Sequence, residues 1–213
     1  MNIVKISEMD FNILSTEVTQ DLYEIVMGIN PSNNKGENLP VENVSWYDAI
    51  YFCNKLSEMD GLIPVYLVDD PTDVTNWNYT PHKRKSISGI ITQNTSANGY
   101  RLPTNDEWEK AAKGGQDYRY AGSKNLEEVG WYYSNSGNKN HPVAQKKANG
   151  YGLYDMSGNV WEWVWDSSDD YYRYYRGGGC YDNSDCCEVD CRDYYYANNR
   201  GYCMGFRIVC FSN

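Results

Sequence analysis

The sequence predicts an α+β domain with much irregular structure. Three observations carry this. Amphipathic helical segments with recognisable caps come early, the middle of the chain is polar and aperiodic, and alternating apolar and polar residues come late. At 213 residues the chain can bury a sizeable core, and one domain spanning 1–213 is expected. A formal net charge of −10 argues against a nucleic-acid partner, which would need clustered Lys and Arg. No apolar run approaches the length of a membrane span, and the opening MNIVKISEMDFNI has no signal-like apolar stretch. Either the protein stays inside the cell, or an export segment has been removed.

Each element has a local cause. Thr19 caps a helix in which Leu22, Ile25, Val26 and Ile29 fall at helical spacing, ending near Asn30-Pro31. Ser45 with Asp48 opens a second helix, with Trp46, Ala49, Ile50, Cys53 and Leu56 on one face and a stop at Gly61. Cys53 there reads as a small core residue. Residues 62–98 read as short strands and loops. Thr104 and Glu107 form a capping box for a third helix, whose Trp108, Ala111 and Ala112 turn inward and which Gly114-Gly115 ends.

Residues 149–165, NGYGLYDMSGNVWEWVW, organise the rest. Gly150, Gly152 and Gly158 permit tight turns or close backbone contacts, and Asn159 can brace a turn with its side chain. Trp161, Trp163 and Trp165 alternate with Val160, Glu162 and Val164, the period of a buried strand. Glu162 inside that run needs hydrogen bonds or a cation. Residues 205–211 read as a late core strand.

Between these last two stretches the texture changes. Residues 166–203 contain no Lys, Gln, Met or Trp and a single Glu, yet hold nine of the chain's 21 tyrosines. A genetic cause fits this bias. Randomising the two adenines of an asparagine codon ending in a pyrimidine reaches Tyr, Asp, Asn, Ser, Gly, Cys, Arg and several apolar residues. It cannot reach Lys, Gln, Glu, Met or Trp. The clustering of Cys180, Cys186, Cys187, Cys191, Cys203 and Cys210 near the C-terminus then needs no shared role, because cysteine is one product of such mutagenesis.

Several motifs fall in a fixed order: Glu17-Val18-Thr19, Asn30-Pro31-Ser32, Asn43-Val44-Ser45-Trp46, Gly99-Tyr100-Arg101-Leu102-Pro103-Thr104, the GLYDMSGNVWEW stretch, Arg176-Gly177-Gly178 and Gly205-Phe206-Arg207. Together they resemble the formylglycine-generating-enzyme type of sulfatase-modifying domain, a variant of the C-type lectin fold. With the biased segment between the last motifs, the chain also resembles the variable proteins diversified by retroelements, whose C-terminal segments vary on that fold. The resemblance implies a non-enzymatic ligand-binding protein at a bacterial cell surface.

Under that resemblance the binding residues are Tyr171, Tyr172, Tyr174, Tyr175, Tyr181, Asp182, Asn183, Asp185, Tyr194, Tyr195, Tyr196, Asn198, Asn199 and Tyr202. Tyrosine supplies rigid apolar area with a polar tip, and Asp and Asn supply adaptable hydrogen bonding. Some of the tyrosines are expected to pack inward. The segment's eight acids against four arginines favour a basic or aromatic-accepting protein surface as partner.

The alternative implied by the enzyme family is oxidation of a substrate cysteine by a cysteine pair with copper. Cys186 and Cys191 have the five-residue step of that pair, but counting from Gly177-Gly178 puts the two positions at Asp182 and Cys187. Acids crowd this segment, so thiol pKa values are expected to rise. The family also commonly holds calcium near its GNVWEW turn. Asn159 and Glu162 are the candidate ligands here for a structural calcium ion, with a hydrogen-bonded Glu162 the equal alternative. No other cofactor is required.

Overall fold

The computed structural model describes residues 1–211 except Ser7, Arg84 and Asp170. The α+β expectation holds: among the described residues, three small sheets and four α-helices are joined by long loops. The first sheet contains β1 (Ile3–Lys5), β2 (Phe11–Leu14), β5 (Tyr100–Arg101) and β10 (Val209–Phe211), in the order β1-β2-β10-β5 and antiparallel throughout. β3 (Tyr66–Val68) pairs with β4 (Ile91–Gln93). The third sheet has the order β8-β7-β6-β9, from β6 (Trp161–Ser167), β7 (Tyr172–Arg176), β8 (Arg192–Tyr196) and β9 (Met204–Gly205). All its pairings are antiparallel except β6 with β9.

Capping chemistry sets the helices. In α2 (Trp46–Met59) the Ser45 hydroxyl accepts from the Asp48 amide while Asp48 accepts from the Ser45 amide. α3 (Asn105–Lys113) repeats this box with Thr104 and Glu107, and ends on left-handed Gly114. Each satisfies amides that the first helical turn leaves without partners. The predicted apolar faces of α2 and α3 are buried. α4 (Leu126–Val129) is a single turn capped by Asn125.

Two expectations need correction. Thr19 does cap α1 (Gln20–Met27), but the buried face is Gln20, Tyr23 and Val26, and Ile25 and Ile29 are exposed. The Gln20 amide donates to the carbonyls of Asn34 and Pro40, and Tyr23 stacks on Phe52. Polar satisfaction by Gln20 therefore rotates the helix away from its most apolar stripe. It ends at left-handed Gly28, before Asn30-Pro31. Residues 205–211 are likewise not one strand. β9 pairs with β6, β10 lies between β2 and β5, and Phe206, Arg207 and Ile208 cross from one sheet to the other, all fully buried. Gly205 is required at the start of that crossing, since a Cβ there would sit 2.5 Å from the Val41 carbonyl oxygen.

The core gathers around β6. The Trp46 indole donates to the Val164 carbonyl and the Trp163 indole to the Val44 carbonyl, so α2 and β6 are locked reciprocally at 3.0 Å each. Val160, Glu162, Trp163 and Val164 are wholly buried, so the strand that the alternation predicts is covered on both faces. Trp163→Ala should therefore cost roughly 3–5 kcal/mol. Tyr195→Ser, on an exposed strand, should stay within about 0.5 kcal/mol. Chemical denaturation of the two variants checks this; equal losses would contradict it.

Candidate functional site

The biased segment folds as the β7–β8 hairpin with a long connection between its strands. Register pairs Tyr172 with Tyr196, Tyr174 with Tyr194 and Tyr175 with Asp193. Because side chains alternate across a strand, the tyrosines divide. On one face Tyr172 stacks on Tyr196 at 4.4 Å between ring centroids and meets Tyr194 edge-on, as Tyr174 also does. A hydrogen bond with Tyr196 pushes the Tyr172 phenol up to about 12. On the other face Tyr175 is buried edge-on against Trp161 and Trp163, with Asp193 and Tyr195 beyond it.

Most of the expected binding residues reach the surface. Tyr171, Tyr181, Tyr194, Tyr195, Tyr196 and Tyr202 are exposed, as are Asn183, Asp185 and Asn198. Tyr172, Tyr174 and Asn199 are half-buried. Two residues instead serve the scaffold. Tyr175 packs inward, and half-buried Asp182 accepts from the Trp161 indole at 2.7 Å and from the Gly179 amide at 3.0 Å.

The segment's arginines are engaged within the molecule. Arg176, buried, bonds Glu109 at 2.6 Å and the carbonyls of Asp190 and Cys191. Arg200 reaches back to Asp48, whose carboxylate also accepts from the Tyr79 hydroxyl. Arg173 lies over the Trp46 ring and Arg192 over the Tyr174 ring. Asp185, Asp190 and Asp193 are exposed, so the surface around the tyrosines is acidic. Sequence reasoning missed Arg176 and Arg200 as anchors; their partners Glu109 and Asp48 carry no sign of the pairing.

The candidate calcium ligands are occupied by protein groups. Both Glu162 oxygens bond Arg207 at 2.7 Å, and Oε2 also accepts from the Trp108 indole. The Asn159 side chain accepts from the His141 amide and donates to the His141 carbonyl, with Asn159 itself left-handed, the turn brace its sequence suggests. Among the described residues no group of three or more His, Cys, Asp or Glu side chains is arranged to hold a metal ion. Glu17 and Asp155 also neighbour Arg207. Both Glu17 oxygens and Asp155 Oδ1 are buried without hydrogen-bond partners. Burial, reinforced by the neighbouring carboxylates, raises Glu17 well above the usual carboxylate range, and burial lifts Asp155 to about 6.

Burial and neighbouring acids act on the thiols that sequence spacing singles out. Cys187 is fully buried and its thiol is raised mainly by burial, then by Asp182 and the nearby thiols. Burial and surrounding acids also raise Cys186, and burial with Cys186 pushes Cys191 up to about 11. The sulfurs in contact are those of Cys180 and Cys203, 2.7 Å apart, a pairing that sequence spacing did not suggest.

A group whose folded pKa exceeds its unfolded value binds protons on folding, so stability falls as pH rises between the two values. Asp155 should thus weaken the fold between about pH 4 and 6 as it ionises. His82, lowered mainly by burial, acts in the opposite sense as it charges at acidic pH. The difference between wild type and Asp155→Asn reports this carboxyl together with its repulsion of Glu17: the variant should gain relative stability as pH rises from 4 to 7 (about the range of the shift). Melting curves that keep a constant separation across this range would contradict it.

Comparison with known proteins fits this architecture. Residues 3–211 match the family model of the sulfatase-modifying factor enzyme 1-like domain. The chaperone protein LppX of Paenibacillus barcinonensis is 41% identical over 94% of this chain and 80% of its own length. The variable protein 1 of Treponema denticola superposes with a TM-score of 0.87 at 34% identity, covering 99% of this chain and 92% of that one. The formylglycine-generating enzyme of Mycobacterium tuberculosis is 39% identical, over 37% of this chain and 30% of the enzyme. The chain belongs to the sulfatase-modifying factor enzyme 1-like family and has its C-type lectin fold.

Proposed function

We propose that this protein binds a variable ligand, most simply a protein surface, through the tyrosine-rich hairpin and its connecting loop. The observation that carries the reading is the separation of roles within one segment. Tyr171, Tyr181, Tyr194, Tyr195, Tyr196 and Tyr202 are exposed, while the family motifs on either side are buried in a hydrogen-bonded core. Side chains so placed can change while the backbone beneath them is held. Rigid aromatic area edged with acids suits a basic partner surface. The likeness to a treponemal variable protein supports diversification of this segment by a retroelement, and display at a bacterial cell surface goes with that reading. The similarity to LppX, described as a chaperone, also favours a polypeptide partner.

The oxidase alternative has less support. Redox or metal chemistry at a thiol needs the thiolate, whereas burial and acids raise Cys186, Cys187 and Cys191. Asp182, at the first of the enzyme's two cysteine positions, holds the Trp161 indole instead.

A displayed library tests the proposal. Randomising Tyr171, Tyr172, Tyr194, Tyr195, Tyr196 and Tyr202 should yield binders to a basic probe such as hen lysozyme, and most members should melt within a few degrees of the parent. Widespread unfolding, or no binder in a well-folded library, would overturn it. The parent chain incubated with copper and a cysteine-containing peptide should form no aldehyde; formation of aldehyde would revive the oxidase reading.

A further inference from the structure

We infer that Cys180 and Cys203 form a disulfide that closes the neck of the ligand-binding segment. The two Sγ atoms lie 2.7 Å apart, inside the contact distance of two separate sulfurs. Both residues hang from neighbouring peptide groups of the scaffold. The Cys180 amide donates to the Asn159 carbonyl at 2.9 Å, and the Trp161 amide donates to the Cys203 carbonyl at 2.7 Å. Backbone packing at this point is close: a Cβ on Gly179 would sit 3.1 Å from the Cys203 Cβ. Both cysteines are thus held by the backbone at Asn159 and Trp161, which keeps their sulfurs together.

Access is one-sided. Cys180 is wholly buried and Cys203 half-buried beside exposed Tyr202, so Cys203 is the entry point. With a small disulfide such as oxidised glutathione, the Cys203 thiolate attacks one glutathione sulfur, forms a mixed disulfide and expels a glutathione thiolate. Contact with Cys203 and then burial raise the Cys180 thiol, so this second step is the slow one: Cys180 gives up its proton as its sulfur attacks the Cys203 sulfur and expels the second glutathione. The protein thiols lose two electrons and two protons, which end on two molecules of glutathione. The closed loop contains Tyr181, the short 3-10 turn Ser184–Cys187 and β8, and with them Tyr194, Tyr195, Tyr196 and Tyr202. Tying its ends restricts the unfolded chain and braces the segment against the scaffold. The cross-link itself does not depend on the binding proposal.

The test starts from the wild-type chain, and its mapping of the link requires no variant. After incubation with oxidised glutathione and removal of excess, its mass should fall by about 2 Da. Alkylation under denaturing conditions should label two fewer of the seven cysteines. Non-reducing peptide mapping should join the Cys180 peptide to the Cys203 peptide. The melting temperature should rise by several degrees, and Cys203→Ser should abolish both the link and the rise. Full labelling after oxidation, or a link mapped to Cys186, Cys187, Cys191 or Cys210, would overturn the pairing. A mapped link with an unchanged melting temperature would overturn its bracing role.

Discussion

The buried pairing of Arg207 with Glu162 is the constraint on which the rest of the structure depends. Both side chains are fully buried, and each would be costly to desolvate alone. The cost is offset by geometry. Two charge-assisted hydrogen bonds join them, the Trp108 indole adds a third to Glu162, and Arg207 also donates to the Leu14 and Tyr154 carbonyls. One ion pair thereby connects β2, α3, the loop before β6, and β6 itself. Removing one member of such a pair generally costs about 3–5 kcal/mol, because the other is left buried and charged. The same need explains the split of β9 from β10: the chain must leave one sheet, deliver Arg207 to the centre and enter the other.

Two further arginines extend this logic into the biased segment. Arg176 ties the end of β7 to Glu109 on α3, over the Trp108 ring. Arg200 ties the return of the segment to Asp48, the residue that also closes the α2 capping box. The carboxylate of Asp48 is held below the usual range despite its burial, with the Arg200 hydrogen bond the largest opposing cause. The hairpin is therefore fastened near both ends by ion pairs, and its centre by Tyr175 on Trp161 and Trp163. Between these fastenings lie the positions whose side chains reach solvent.

Legibility followed the range of the interaction. Helices α2 and α3 were readable because a capping box is complete within four residues (the span from N-cap to N3). The demand of Glu162 for a cation or hydrogen bonds was readable from its apolar neighbours, but its partner lies 45 residues away and no local pattern names it. The face of α1 was misread because hydropathy alone cannot show that Gln20 satisfies two loop carbonyls. Composition marked the segment 166–203 but could not separate Tyr175 from Tyr174, since strand phase is set by register with β6 and β8. Likewise Cys186 and Cys191 stood out by spacing, whereas Cys180 and Cys203 meet because their backbones bond Asn159 and Trp161.

The placement of acids and sulfurs bears on how one scaffold serves two chemistries. A thiol that is to act as nucleophile or copper ligand needs nearby positive charge to favour its thiolate. Here the arginines that could provide it are spent: Arg176 on Glu109 and Arg200 on Asp48, with Arg192 over a tyrosine ring. What remains near Cys186 is Asp182, Asp185 and Asp193, which oppose ionisation. The same acids beside exposed phenols provide hydrogen-bond acceptors around rigid aromatic surface, a composition suited to recognition. Anchoring the hairpin through its cations thus leaves the accessible face acidic and aromatic, so the interactions that hold the segment in place also set the chemistry of its surface.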